Sequence, residues 1–139
     1  MTKKTDLLVD TNVLIYYFKD NTDFHKTSVS IIENEDYNLF ITTKNISELF
    51  AVFTKQKVAW DKILLFFEDL KQNFTILYPN KKSLHVFKDL YDSLKPHGNQ
   101  VFDLEIVSII LTNNIYTIAT FNHKDFRDIN EITILDECK

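Results

Sequence analysis

Asp10, Glu48, Asp103 and the polar segment Thr120 to Phe126 are the residues of this chain whose types and spacing could do chemistry. Leu7-Leu8-Val9 is an apolar run without polar alternation, as in strands buried on both faces of a parallel sheet. It stops on Asp10 and continues into Thr11 and Asn12. A carboxylate therefore falls at a strand's carboxyl end, where the ligands and catalytic groups of open α/β sheets gather. Asp103 shares a helical face with Ile106, Val107, Ile110 and Leu111, so its charge projects onto an apolar stripe, where an unpartnered acid is costly. It could also cap that helix, with Gln100 to Phe102 still in the loop. Glu48 lies early in another helix, where Asn45-Ile46-Ser47-Glu48 also reads as a capping box. Thr120-Phe121-Asn122-His123-Lys124-Asp125-Phe126 adds an amide, an imidazole and a carboxylate after a further strand, or is simply an Asn/Asp turn.

Carboxylates within about 5 Å of each other repel by roughly 3 kcal/mol per pair at an effective dielectric near 20. A hard divalent cation relieves that repulsion. Oxygen ligands select Mg²⁺ or Mn²⁺, and the sequence offers no close His/Cys set for zinc. One ion with ordered waters, or two about 4 Å apart, can activate water and stabilise the leaving oxygen in phosphodiester hydrolysis.

The elements that must position these groups follow from periodicity. After the first strand, Val13 to Phe18 predicts a short helix, and Asn21-Thr22-Asp23 caps a second one through about Glu33. Leu39 to Ile41 is a buried strand. Thr42 or Thr43 caps a helix carrying Ile46, Leu49, Phe50 and Phe53, and Trp60 to Gln72 repeats the pattern. A strand at Phe74 to Leu77 precedes an amphipathic helix with Leu84, Phe87, Leu90, Tyr91 and Leu94; Lys95 to Asn99 is a loop. A helix over Val101 to Thr112, a strand at Tyr116 to Ala119, a helical turn near Lys124 to Phe126 and a strand at Ile132 to Leu135 complete the chain. Strands alternating with helices predict an α/β fold, a three-layer α/β/α sandwich with a mainly parallel sheet.

Composition narrows the setting. The chain has 139 residues, 45% hydrophobic, with one Gly and two Pro, which points to one compact unit over 1–139 without linkers or repeats. Cys138 is alone and near a frayed end, so a reduced, cytoplasmic setting is expected. The apolar run after Lys3 and Lys4 is too short for a signal or membrane segment. A net charge of −4 argues against generic nucleic-acid coating, yet is compatible with a nuclease whose carboxylates gather around a metal.

The segments Leu8-Val9-Asp10-Thr11-Asn12, Ile46-Ser47-Glu48-Leu49, Asp103 on its helix, and Thr120 to Phe126 together resemble the PIN-domain nucleases, in particular VapC-like toxins of toxin-antitoxin pairs, over nearly the whole chain. The resemblance implies that Asp10, Glu48 and Asp103 bind the metal and that Thr11 or Asn12 holds Asp10 or a water. At the fourth position, where the family often has an acid, this chain has Asn122, with Asp125 a turn further on; Thr120 belongs to the same outer set. The resemblance further implies a Mg²⁺- or Mn²⁺-dependent endoribonuclease, a homodimer, an RNA substrate and a separate antitoxin protein whose tail fills the site. Phe50, Phe53, Trp60, Phe66 and Phe67 offer either core or a groove for that tail. Lys44, Lys55, Lys57, Lys124 and Arg127 could neutralise phosphates, and His123 could assist proton transfer, although each is a common surface residue. Two other readings remain: a PIN-like binding module without catalysis, and a receiver-like phosphoacceptor domain, whose Lys-Pro element Leu94-Lys95-Pro96 imitates without its preceding strand.

Overall fold

The structure is a computed structural model that describes residues 3–20 and 22–139. Five strands, β1 (Thr5–Val9), β2 (Tyr37–Thr42), β3 (Thr75–Leu77), β4 (Thr117–Ala119) and β5 (Thr133–Ile134), form one sheet in the order β3-β2-β1-β4-β5. Every pairing is parallel, so the expected mainly parallel sheet is wholly so. The connections are α1 (Thr11–Phe18), α2 (Asp23–Ile32), α3 (Thr43–Lys55), α4 (Trp60–Asn73), α5 (Lys81–Leu94) and α6 (Gln100–Leu111).

The run that opened the sequence reading is the centre of this sheet. Leu7, Leu8 and Val9 have no solvent exposure, because β1 is flanked by β2 and β4 and covered on both faces. Alternate side chains of β1 enter different cores. Leu7 and Val9 pack with Val13 and Leu14 of α1, Ile31 of α2, Leu49 and Phe53 of α3 and Leu70 of α4. Leu8 packs with Ile106, Val107 and Ile110 of α6, while Phe87 and Leu90 of α5 lean on the same cluster. This is the three-layer sandwich, with α1 to α4 serving one face and α5 and α6 the other.

Strand order reverses at β1, since β2 and β3 lie to one side and β4 and β5 to the other. The crevice beyond the carboxyl ends of β1 and β4 is thus the topological switch point of an open parallel sheet.

Local chemistry sets the element ends. Thr22 caps α2 through its hydroxyl, while Asn21, also offered as a cap by the sequence, lies outside the described residues with Met1 and Thr2. Gly98 sits at φ 57° in the loop before α6, and Lys95 closes α5 in a left-handed conformation, so the Lys-Pro pair ends a helix instead of following a strand. Cys138 is not frayed: Asp136–Cys138 forms a 3-10 turn whose cysteine is buried in the core.

Candidate active site

Asp10 is the floor of the crevice. Its backbone N–H donates to Ala119 O across the β1/β4 seam (3.0 Å), and its side chain caps α1 by accepting from the Thr11 N–H (2.9 Å). The other carboxylate oxygen accepts from Asn12 Nδ2 (3.0 Å) and from Thr120 Oγ1 (2.9 Å). Thr120 stands at the end of β4, so the sequence-distant pair meets because the two strands are neighbours. Asn12 completes the clasp by donating to Thr120 Oγ1 (3.1 Å) and accepting from the Phe121 N–H (3.0 Å). Only 6% of Asp10 is exposed, and burial raises its pKa even though the Thr120, Thr11 and Asn12 donors pull the other way; the charge of Asp125 adds to the rise.

Glu48 and Asp103 face the same crevice from the other two layers. α3 starts at the tip of β2, where Thr42 and Asn45 form a reciprocal capping box. The expected box of Asn45 with Glu48 is therefore replaced: Asn45 is the third residue of α3 and Glu48 the sixth. Glu48 is half-buried, and its Oε1 is buried without a hydrogen-bond partner. Burial raises its pKa first and the charge of Asp10 second, while Lys44 opposes and Glu105 contributes to the rise.

α6 starts at Gln100, so Gln100 to Phe102 are helical and Asp103 is not the cap; Asn99 takes that place, with no side-chain cap hydrogen bond. The apolar stripe expected to mark Asp103 is also broader than a stripe. Leu104 and Ile106 through Ile110 are all buried, because α6 is enclosed nearly all round between the sheet and α5. What distinguishes Asp103 is its place in the first turn, half-buried, where desolvation and then the charges of Asp125, Asp10 and Glu48 push its pKa up to about 7. Asp103 thus lies within reach of three other carboxylates, each on a different segment.

In the segment after β4, the helical turn is a 3-10 turn, His123–Asp125. Asn122 is exposed, and its backbone N–H donates to Thr120 Oγ1 (3.1 Å). Asp125 is half-buried, and its charge reaches both Asp10 and Asp103. His123 turns away from proton transfer: its Nε2 lies 2.6 Å from the Cys138 carbonyl and anchors the carboxyl-terminal turn. Lys44 Nζ sits 4.0 Å from the centre of the Phe102 ring, between Glu48 and the start of α6. Lys55, Lys57, Lys124 and Arg127 are exposed.

The sequence reading missed the part played by Asn45. With no exposure, it accepts from the Thr42 N–H (2.9 Å) and Thr42 Oγ1 (2.8 Å) and donates to Thr11 Oγ1 (3.1 Å). It thus ties the start of α3, and so Glu48, to the residue after Asp10. The signal available was Thr42-x-x-Asn45 at a strand end. The aromatic set divides as well. Phe53 is core and Phe66 stacks on Phe18 (4.2 Å), whereas Trp60 is 81% exposed beside an apolar hollow lined by Phe50, Thr54, Ile63 and Leu64.

No curated protein matches the chain in sequence. Among solved structures, VapBC-1 from nontypeable Haemophilus influenzae superposes with a TM-score of 0.76 at 23% identity, covering 97% of this chain and 100% of that one. VapBC2 from Rickettsia felis, bound to a promoter DNA fragment, gives 0.74 at 20% identity, with 94% and 98% covered. VapC20 of Mycobacterium tuberculosis, a sarcin-ricin loop cleaving toxin, gives 0.71 at 9% identity, with 88% and 95% covered. These likenesses concern the fold. The family model described as PIN domain matches residues 7–132, from the first buried residue of β1 to the edge of β5, and the chain belongs to the PIN-domain family.

Proposed function

We propose that this chain is a Mg²⁺- or Mn²⁺-dependent endoribonuclease and the toxin of a toxin-antitoxin pair. The observation that carries the reading is the convergence of Asp10, Glu48, Asp103 and Asp125 at the switch point, where the charges of Asp125, Asp10 and Glu48 all push up the pKa of Asp103. Among the described residues no group of three or more His, Cys, Asp or Glu side chains is close enough to hold an ion ready-made, so binding includes drawing the set together. Its donor chemistry fits: the candidates are hard carboxylate oxygens, and Glu48 Oε1 is a buried acceptor still lacking a partner. Asp10, Glu48 and Asp103 would hold the metal, with Asn122 or Asp125 nearest the fourth place. A bound ion supplies a water of lowered pKa and a positive charge for the phosphoryl oxygens.

The chain's own residues do the positioning. Thr11, Asn12 and Thr120 fix both oxygens of Asp10, which removes its rotational freedom before substrate arrives. Lys44, held against Phe102, places a cation at the edge of the acidic cluster where a substrate phosphate enters.

RNA as substrate is supported by the sarcin-ricin loop cleaving neighbour, and an antitoxin partner by the VapBC complexes. The exposed apolar surface of α4, with Trp60, Leu64 and Leu65, suits the partner's tail. We extend the proposal to a homodimer working in the cytoplasm; no helix among the described residues is long and apolar enough to cross a membrane.

The decisive experiment is cleavage of RNA by purified protein with Mg²⁺, Mn²⁺ or EDTA, alongside Asp10→Asn. Cleavage is expected only with a divalent ion and is lost in the variant, which should keep its fold. Cleavage that survives EDTA overturns the reading. RNA binding without cleavage by the unaltered chain instead identifies a binding module.

A further inference from the structure

Three aromatic rings, one of them on the residue after Thr120, cluster together and have no part in the carboxylate chemistry. Tyr16 follows Asn12 by one turn on the same face of α1, Phe24 is the second residue of α2, and Phe121 directly follows Thr120. Their ring centres lie 5.0 Å apart for Tyr16 and Phe24, 4.8 Å for Phe24 and Phe121, and 5.8 Å for Tyr16 and Phe121. Phe121 packs against the main core, but Tyr16 and Phe24 belong to neither core and Phe24 is 47% exposed, so core packing alone does not account for the cluster.

The cluster is held in register with the acidic floor. The Phe121 N–H donates to Asn12 Oδ1, and the same amide donates from Nδ2 to Asp10 Oδ2. Asn12 therefore holds both the backbone of Phe121 and the Asp10 carboxylate. Beyond Phe121 on the same segment, Lys124 and Arg127 are exposed and enter none of the ion pairs among the described residues. Aromatic faces with exposed cations on the same segment are complementary to a single strand of nucleic acid, which offers a π-face and a phosphate at every nucleotide. The hollow beside Trp60 differs, being lined largely by Phe50, Ile63 and Leu64. We propose that Tyr16, Phe24 and Phe121 form a stacking subsite for an unpaired nucleobase of single-stranded RNA next to the phosphate that Asp10 serves. The inference rests on the nuclease reading and adds to it a place where one base is held.

The test uses the full chain, a short single-stranded RNA, and the same RNA with one base removed near its cleavage site. Binding is followed by fluorescence anisotropy in EDTA and cleavage with Mn²⁺. Phe24→Ala and Phe24→Leu should weaken binding of the intact RNA by about 10-fold or more and raise KM with little change in kcat, while Phe24→Tyr restores both. On the abasic RNA the variants and the unaltered chain should bind alike. Phe24→Leu as tight as the unaltered chain, which an apolar protein-docking patch would give, overturns the subsite, as does an equal loss on abasic RNA. Because leucine keeps the apolar bulk and Phe24 is half exposed, unfolding is checked by matching melting curves. Protein that cleaves RNA regardless of Phe24 overturns this inference alone; protein that neither binds nor cleaves single-stranded RNA overturns the nuclease reading with it.

Discussion

At the residue scale, the site is a set of acids whose charges the fold makes expensive. Asp103 is the clearest case, with a pKa pushed from 3.8 to about 7 by desolvation and by Asp125, Asp10 and Glu48. A raised acid favours the folded state while it is protonated. That stability is fully present below pH 3.8 and is lost as the pH rises through about 7. With metal chelated, the melting temperature should therefore fall between pH 5 and pH 8, and Asp103→Asn should flatten the decline and match or exceed the unaltered chain at pH 8. The same variant should abolish stabilisation by added Mg²⁺, which melting curves with and without the ion will report. Asn122 and Asp125 separate by a parallel argument. If Asn122 stands beside the metal, Asn122→Asp should tighten Mn²⁺ binding, because ligand charge strengthens attraction to a hard cation, and Asp125→Ala should cost less activity than Asp103→Ala. Calorimetric titration of Mn²⁺ into the three variants decides; an Asp125→Ala loss equal to that of Asp103→Ala, with Asn122→Asp unchanged, assigns the place to Asp125.

Elements act here through their ends. The start of α1 is capped by Asp10, that of α3 by Thr42 and Asn45, and these two ends are joined by the Asn45 to Thr11 hydrogen bond. Asn45→Ala would leave the buried Thr42 N–H and Thr11 hydroxyl without their partner, an effect of about 1–3 kcal/mol on stability. It should also reduce cleavage by letting Glu48 drift, although Asn45 touches no substrate. Chemical denaturation and single-turnover cleavage measured together check both effects. Asn45→Asp keeps the acceptor toward Thr42 but loses the donor to Thr11 and buries a further acid beside Asp10 and Glu48, so it should lower both the rate and the stability, the latter more as the pH rises.

For the whole molecule, the parallel sheet brings the acids to one edge and leaves an apolar flank of α4 exposed. The only tryptophan, Trp60, is 81% exposed on that flank and reports on it directly. Its emission should be strongly quenched by acrylamide in the isolated chain. An antitoxin tail seated on α4 should shift the emission to the blue and protect it; quenching unchanged in a stable complex would place the tail elsewhere. Cys138 gives a second global readout, since burial pushes its thiol up to about 11 and it packs in the main core. Alkylation at neutral pH should be slow in the folded chain and rapid after unfolding, as mass spectrometry can follow.

The sequence by itself determined the alternation of strands and helices, the buried strand ending on Asp10, and the ordered set of acids, because periodicity and strand-end placement are local properties. It also narrowed the cap of α3 to Thr42 or Thr43, since capping is decided within one turn of the chain, and the structure places it at Thr42. Tertiary structure alone decided how the ends meet. Whether Asp103 capped α6 or stood within its first turn depended on where the helix begins, and Thr120 reaches Asp10 only because β4 pairs with β1. The enclosure of α6 by α5 and the sheet erased the narrow stripe that its sequence suggested, and packing of the carboxyl-terminal turn buried a cysteine that position made to look frayed. Asn45 carries a structural task for the same reason: its box with Thr42 is local, but its bond to Thr11 spans 34 residues, and such a contact exists only once neighbouring strand ends are brought side by side.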